Sequence, residues 1–241
     1  MPNLRLTRPH GLALAALTGL SLTGLALTSS AVAADANNPT VVELYQSQGC
    51  SSCPPANDVL NSIADRPDIL ALSFAVTYWD RLGWKDVFAH PAYTARQWEY
   101  SNAGGRRQVS TPQMIVNGCG VLVGSNKAQA EAFIKQYDRG SSGPAIAHSA
   151  GKVTVGSGRP KGEANVWHIE YDPRVHQVPI RAGENGGRTL PHKNIVRTVR
   201  LLGKWNGKAA SFGVSPTRAP LRSAILVQDG PGGAILAAGR I

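Results

Sequence analysis

The sequence predicts an α/β domain followed by a smaller all-β, sandwich-like domain. Three observations carry this prediction. A short apolar run ends in Cys50-Ser51-Ser52-Cys53 and gives way to Pro54-Pro55 and a helical pattern. Segments with strand and helix periods then alternate as far as residue 139. After a glycine- and serine-rich stretch, only short strand-like segments separated by turn signals follow.

The first 33 residues read as a secretory signal. Arg5 and Arg8 form a positive start, residues 11–27 are apolar with Thr and Ser interruptions, and Ala31-Val32-Ala33 is a small-x-small cleavage site. The other reading is a retained membrane anchor, but the run is near the lower limit for a spanning helix. Cleavage leaves about 208 of the 241 residues and lowers the formal charge from +10 to +8 by removing Arg5 and Arg8. No integral membrane segment then remains. The basic residues are dispersed, with no basic–aromatic pattern for nucleic acid. They fit a solvated face or an anionic envelope surface. The expected location is therefore periplasmic or extracellular.

In the α/β domain, residues 34–139, residues 41–45 read as a buried strand. Residues 54–64 read as a helix with Val59, Leu60 and Ile63 on one side. A second strand is expected over 69–78, and then a long connection to residue 110 with a helix around 92–101. Residues 113–116 and 120–123 read as strands joined by the hairpin signal Asn117-Gly118. Ser125 or Asn126 can cap a helix running to Tyr137, with Ala130, Phe133 and Ile134 as its apolar stripe. That order, β-α-β, a long connection, then β-β-α, is the core of the thioredoxin fold. Residues 140–150 are the expected linker. In the β domain, residues 151–241, strands are expected over 152–155, 164–171, 175–181, 192–202, 209–214, 223–228 and 234–239.

Export permits disulfides to persist. The chain has three cysteines. A CxxC pair closes too small a loop to be a useful staple, which favours a redox role. At a helix start the dipole and free N–H groups favour an anion. Cys50 is therefore the attacking thiol, and Cys53 the resolving thiol that closes the internal disulfide. Ser51 and Ser52 add hydroxyls but no charge, so they do not set the direction of electron flow. Pro112 lies just before the third strand, where a cis proline packs beside the CxxC in such folds, with Thr111 before it. Glu43, in the first strand, is a candidate proton shuttle to Cys53 if it lies beneath the pair; alternatively it pairs with a Lys or Arg. Trp79 and Asp80 close the second strand and could form a substrate-receiving rim, or Trp79 could simply pack. Cys119 is expected to be a buried, inert thiol. The polar, glycine-rich stretch 181–192 reads either as a partner-docking surface or as a solvated hairpin loop.

These residues imply a thiol–disulfide oxidoreductase acting on protein or small-molecule disulfides, with a redox partner protein. No cofactor is implied. A zinc site needs about four ligands, and no second CxxC or suitably spaced His pair lies nearby. A copper-delivery protein is an alternative, using both thiolates and one of His148, His168, His176 or His192. A partner-binding module with a regulatory disulfide is the third reading.

Several motifs, Glu43-Leu44, Ser47-Gln48-Gly49 with the CxxC and Pro54-Pro55, Tyr78-Trp79-Asp80, Leu82-Gly83-Trp84-Lys85-Asp86 and Thr111-Pro112-Gln113-Met114, resemble a family of secreted bacterial thioredoxin-like proteins catalogued as a domain of unknown function. Gly183-Glu184-Asn185, Gly187-Arg188-Thr189-Leu190 and Asn194-Ile195-Val196-Arg197 match its second half. The resemblance spans nearly the whole mature chain. It implies a thioredoxin-like domain followed by a β-rich one, and no established substrate. Tyr45-Gln46 stands where the family often has Phe-Thr, and Cys119 is not a family feature.

Overall fold

The structure is a computed structural model that describes residue 2 and residues 33–241. The expected signal and its cleavage site fall outside the described residues except for Pro2 and Ala33. Among the described residues, no helix is long and apolar enough to cross a membrane.

Thirteen strands and three helices follow in order: β1 (Thr40–Gln46), α1 (Pro54–Ile63), β2 (Ile69–Ala75), α2 (Pro91–Ala103), β3 (Gln113–Val116), β4 (Gly120–Leu122), α3 (Lys127–Gln136), β5 (Ile146–Ser149), β6 (Lys152–Val155), β7 (Ala164–Asp172), β8 (His176–Pro179), β9 (Thr189–His192), β10 (Ile195–Trp205), β11 (Ala210–Gly213), β12 (Arg222–Gln228) and β13 (Ile235–Arg240). Eight of them form one mixed sheet in the order β13-β12-β7-β10-β2-β1-β3-β4. β1 and β2 run parallel, and β3 and β4 add antiparallel beyond β1.

β1 and β2 are buried along their whole length, as expected for strands covered on both faces. One face carries Val42, Leu44, Met114 and Val116 and is covered by α1 and α3. α1 contributes Val59, Leu60 and Ile63, the stripe predicted from its period. Each such burial is worth about 1.5–3 kcal/mol. The opposite face carries Val41, Tyr45, Phe74 and Ile115, packed with Tyr93 and Tyr100 of α2.

Helix starts follow their capping chemistry. The Asn126 side chain accepts the Gln129 N–H at 2.9 Å, and His90 accepts that of Ala92 at 3.2 Å ahead of Pro91. Asn117 and Gly118 both have positive φ, +46° and +71°, which the tight β3–β4 turn requires.

The second half departs from the expectation of a separate sandwich. Strands β7, β10, β12 and β13 join the same sheet, and the described residues 33–241 lie in one compact unit. The join is narrow. β10 meets β2 in parallel at Ile195 and Ser73, where the Ser73 N–H donates to Asn194 O at 2.9 Å. β2 would otherwise be a free, uncharged edge of apolar and small residues, and β10 covers part of it. The core is continuous as well, since Ile169, Tyr171, Val196 and Leu226 belong to the cluster that contains Tyr45 and Phe74. At the other side, a Cβ on Gly118 would lie 2.3 Å from Gly233 O, so the two halves touch backbone to backbone there. A layered arrangement survives locally. The small sheet β11-β6-β5 packs Val153 and Val155 with Val166, Ile225, Val227 and Trp205. β8 and β9 pair only with each other, and their Val178 and Leu190 pack with Ile180, Trp84 and Phe88.

Candidate active site at the Cys50–Cys53 pair

β1 ends at Gln46, and the chain turns through residues 47–52 into α1. The Cys50 N–H donates to Ser47 O at 3.1 Å, and the Cys53 N–H donates to Cys50 O at 3.2 Å. Cys53 caps α1, with its carbonyl accepting from Ala56 and Asn57 and with prolines at the first helical positions. The two cysteines form a disulfide with Cα atoms 5.4 Å apart. Such a spacing suits the bond geometrically. Ser51 and Ser52 are exposed. Both cysteines, Cys50 included, are completely buried in this state.

Two segments hold the turn. The first is residues 79–88. The Gln48 N–H donates to Asp86 Oδ2 at 2.8 Å, and the Gln48 side-chain oxygen accepts the Trp84 indole N–H at 2.9 Å. Gly49 runs against Trp79, whose Cβ would sit 3.5 Å from an added Cβ. The Trp79 indole donates to Thr111 Oγ1 at 2.7 Å. Trp79 thereby ties the cysteine turn to Thr111-Pro112, whose peptide bond is cis. Asp80 accepts the Asp86 N–H at 3.1 Å and closes its own loop. Trp79 and Asp80, expected at a receiving rim, thus brace the site through these contacts, while Pro112 is buried and Thr111 half-buried.

The second segment is the β8–β9 loop. Asn185 is fully buried, and its Nδ2 donates to Gln48 O and Cys50 O, both at 2.9 Å. Glu184 Oε2 accepts the Ser51 N–H at 3.0 Å and the Ser51 hydroxyl at 2.7 Å. Arg188 donates to Asn185 Oδ1 at 2.8 Å. This loop is thus bonded to the backbone of the cysteine turn on both sides of Gly49 and to Ser51.

Glu43 is not beneath the pair. It shares the face of Val41 and Tyr45, opposite α1, and the Arg96 guanidinium binds it at 2.7 Å and 2.9 Å. Tyr45 and Tyr100 also donate to it. A proton shuttle from Glu43 to Cys53 therefore has no path here, and the paired-carboxylate reading describes what is seen. The buried carboxylate on the cysteine side is Asp86, with its pKa pushed up to about 6 by burial. Sequence reasoning quoted Asp86 and Glu184 only as parts of motifs. The spacing Trp84-Lys85-Asp86 gave no sign that the carboxylate faces inward. Cys119, expected buried, is exposed at the β3–β4 turn.

An α/β protein with an oxidised cysteine pair at a strand-to-helix turn is the class that fold and site define. The chain belongs to the family described as Protein of unknown function (DUF1223), whose profile matches residues 41–228. It is similar to the crystal structure of protein AGR_C_4864 from Agrobacterium tumefaciens, with 29% identity and a TM-score of 0.68, covering 86% of this chain and 94% of that one. It also shares its fold with HBP35 of Porphyromonas gingivalis at 12% identity and a TM-score of 0.54, covering 85% of this chain and 75% of that one. No curated protein matches the chain.

Proposed function

We propose that this is an exported thiol–disulfide exchange protein of thioredoxin-like type, with Cys50 as attacking and Cys53 as resolving thiol. The observation that carries the reading is the placement of a disulfide-forming pair at the start of α1, with Cys53 as the helix cap. The strand order β2-β1-β3-β4, with α1 and α3 on one face and α2 on the other, supports a thioredoxin-like core. The link from Gly49 through Trp79 to Thr111 supports a role for the Thr111-Pro112 segment in receiving substrate beside the pair. Because Cys50 is buried in the disulfide state, exchange with a partner requires its surroundings to open.

The test is a Cys53→Ala variant expressed in an exported form. Without the resolving thiol, Cys50 mixed disulfides accumulate and are recovered as reducible adducts from envelope and medium fractions. A Cys50→Ser, Cys53→Ala control removes them. Adducts no more abundant than in that control overturn the proposal.

A further inference from the structure

The side chain of Glu184 is exposed, yet its carboxylate is committed to one residue of the cysteine turn. It accepts both the backbone N–H and the hydroxyl of Ser51, at 3.0 and 2.7 Å. Ser51 directly follows Cys50. Backbone N–H groups at such a turn are the donors that stabilise a cysteine thiolate. Here one of them is already engaged by an anion. Reduction of the disulfide thus places the Cys50 thiolate next to a fixed negative charge and withholds a donor from it. Both effects destabilise the thiolate and, with it, the reduced state of the pair.

Other charged groups face the same turn. Asp86 reaches it through the Gln48 N–H and has the same sign as Glu184. Asp58 of α1 and Arg188 line a cavity of about 190 Å³ beside Pro54. Arg188 is the opposing charge, held to Asn185. Of these groups, only Glu184 contacts the CxxC residues directly through its charge. The loop is held over the turn independently of that charge, by the two Asn185 bonds and by Gly183, which packs against Trp84 with φ +72°.

We propose that Glu184 biases the Cys50–Cys53 pair toward the disulfide and so makes the reduced protein an electron donor to substrate disulfides. This rests on the reading of the pair as a redox centre. In the reaction, the Cys50 thiolate attacks one sulfur of a substrate disulfide. A mixed disulfide forms, and the other substrate sulfur leaves as a thiolate that takes up a proton. The Cys53 thiolate then attacks the Cys50 sulfur, and the second substrate thiol departs. Two electrons and two protons pass from the protein dithiol to the substrate. A dithiol of a second protein restores the reduced pair by the same exchange in reverse.

The experiment equilibrates the mature protein with reduced and oxidised glutathione and reads the disulfide-to-dithiol ratio by mass after alkylation. The Cys50 thiol pKa is read in parallel from the pH dependence of alkylation of the Cys53→Ala variant. Glu184→Gln keeps an acceptor for Ser51 and removes the charge. It is expected to lower the disulfide-to-dithiol ratio about tenfold, equivalent to about 30 mV for a two-electron couple. The Cys50 thiol pKa should fall with it. Glu184→Asp, which keeps the charge, should stay near the wild type, and raising salt to 1 M should shrink the difference. An unchanged or raised ratio in Glu184→Gln, or an equal fall in Glu184→Asp, overturns the proposal. Glutathione equilibration needs no biological substrate. A failure of the redox reading therefore shows separately, as an absence of trapped adducts, while this proposal is decided by the ratio alone.

Discussion

Arg96→Ala is expected to lower the unfolding free energy by about 3–5 kcal/mol, the range for breaking a buried ion pair from one side. Arg96 and Glu43 are 3% and 1% exposed, so neither can turn to water when its partner is lost. The Glu43 carboxylate receives Arg96 Nε at 2.9 Å and Nη2 at 2.7 Å, with the Tyr45 and Tyr100 hydroxyls at 2.7 and 2.8 Å. Arg96 also donates to Gln228 Oε1 at 3.0 Å, and its guanidinium lies 5.2 Å from the Tyr100 ring centroid and 5.4 Å from that of Trp167. Removing it leaves Glu43 with two neutral donors and strips Gln228 and Trp167 of their contact. A double variant, Arg96→Met with Glu43→Gln, should recover much of the loss, because no charge is then left buried. Urea denaturation of the wild type, Arg96→Met, Glu43→Gln and the double variant forms the cycle that checks this. A single-variant loss below about 1 kcal/mol would show that the pair contributes little.

Between about pH 4 and pH 6.5 the wild-type protein should show a nearly flat stability that conceals two opposed slopes. Asp86 has its folded pKa raised by burial to about 6, from an ordinary 3.8. In that interval the native state holds more protons at this site than the unfolded chain does. Its contribution is present at low pH and is lost as pH rises through about 6, by about 3 kcal/mol. His192 runs the other way. Both ring nitrogens are buried without a partner, and burial, with His176 opposite, lowers its pKa from 6.5 to about 4. There the unfolded state holds more protons, so stability rises with pH by about 3 kcal/mol over the same interval. Asp172 and Asp68, whose folded values are lowered by Arg174 and Arg66, lose their contributions only below about pH 4. Asp86→Asn should therefore unmask a stability that climbs with pH. His192→Phe, which keeps an edge-to-face contact with Phe88, should unmask one that declines. Urea midpoints at pH 4, 5 and 6.5 measure both. Parallel curves for wild type and Asp86→Asn would remove Asp86 from the account.

The α/β half of the sheet could be read closely from the sequence because its signals are local. Proline after Cys53, the Val59–Leu60–Ile63 spacing, Asn117-Gly118 and the Asn126 cap each act within a few residues. α2 was harder to bound, since its buried face mixes Arg96, Gln97 and Ser101 with Tyr93 and Tyr100, and so mixed a face gives no clear apolar stripe. The side on which Glu43 projects could not be read either. β1 is buried on both faces, so alternation carries no information, and only Arg96, 53 residues away, settles the side. The docking of the β8–β9 loop on the cysteine turn escaped for the same reason. Asn185 and Glu184 act across separations of 135 and 133 residues, and a glycine-rich loop looks the same in sequence whether it is solvated or docked. The strands of residues 164–240 other than β9 can be read, but not their attachment to β2, because edge pairing leaves no mark in composition.

In that attachment the ladder itself holds one residue pair, Ile195 and Ser73, with Asn194 bonded to Ser73 and Ala71, although the strand it shields is seven apolar or small residues long. A fragment ending in the glycine-serine stretch near residue 140 would thus expose β2 as an uncharged, proline-free ribbon with open hydrogen-bonding groups. Such ribbons recruit one another into cross-β aggregates. The second half of the chain therefore closes, within the same molecule, the edge of β2 that a neighbouring molecule could otherwise pair with.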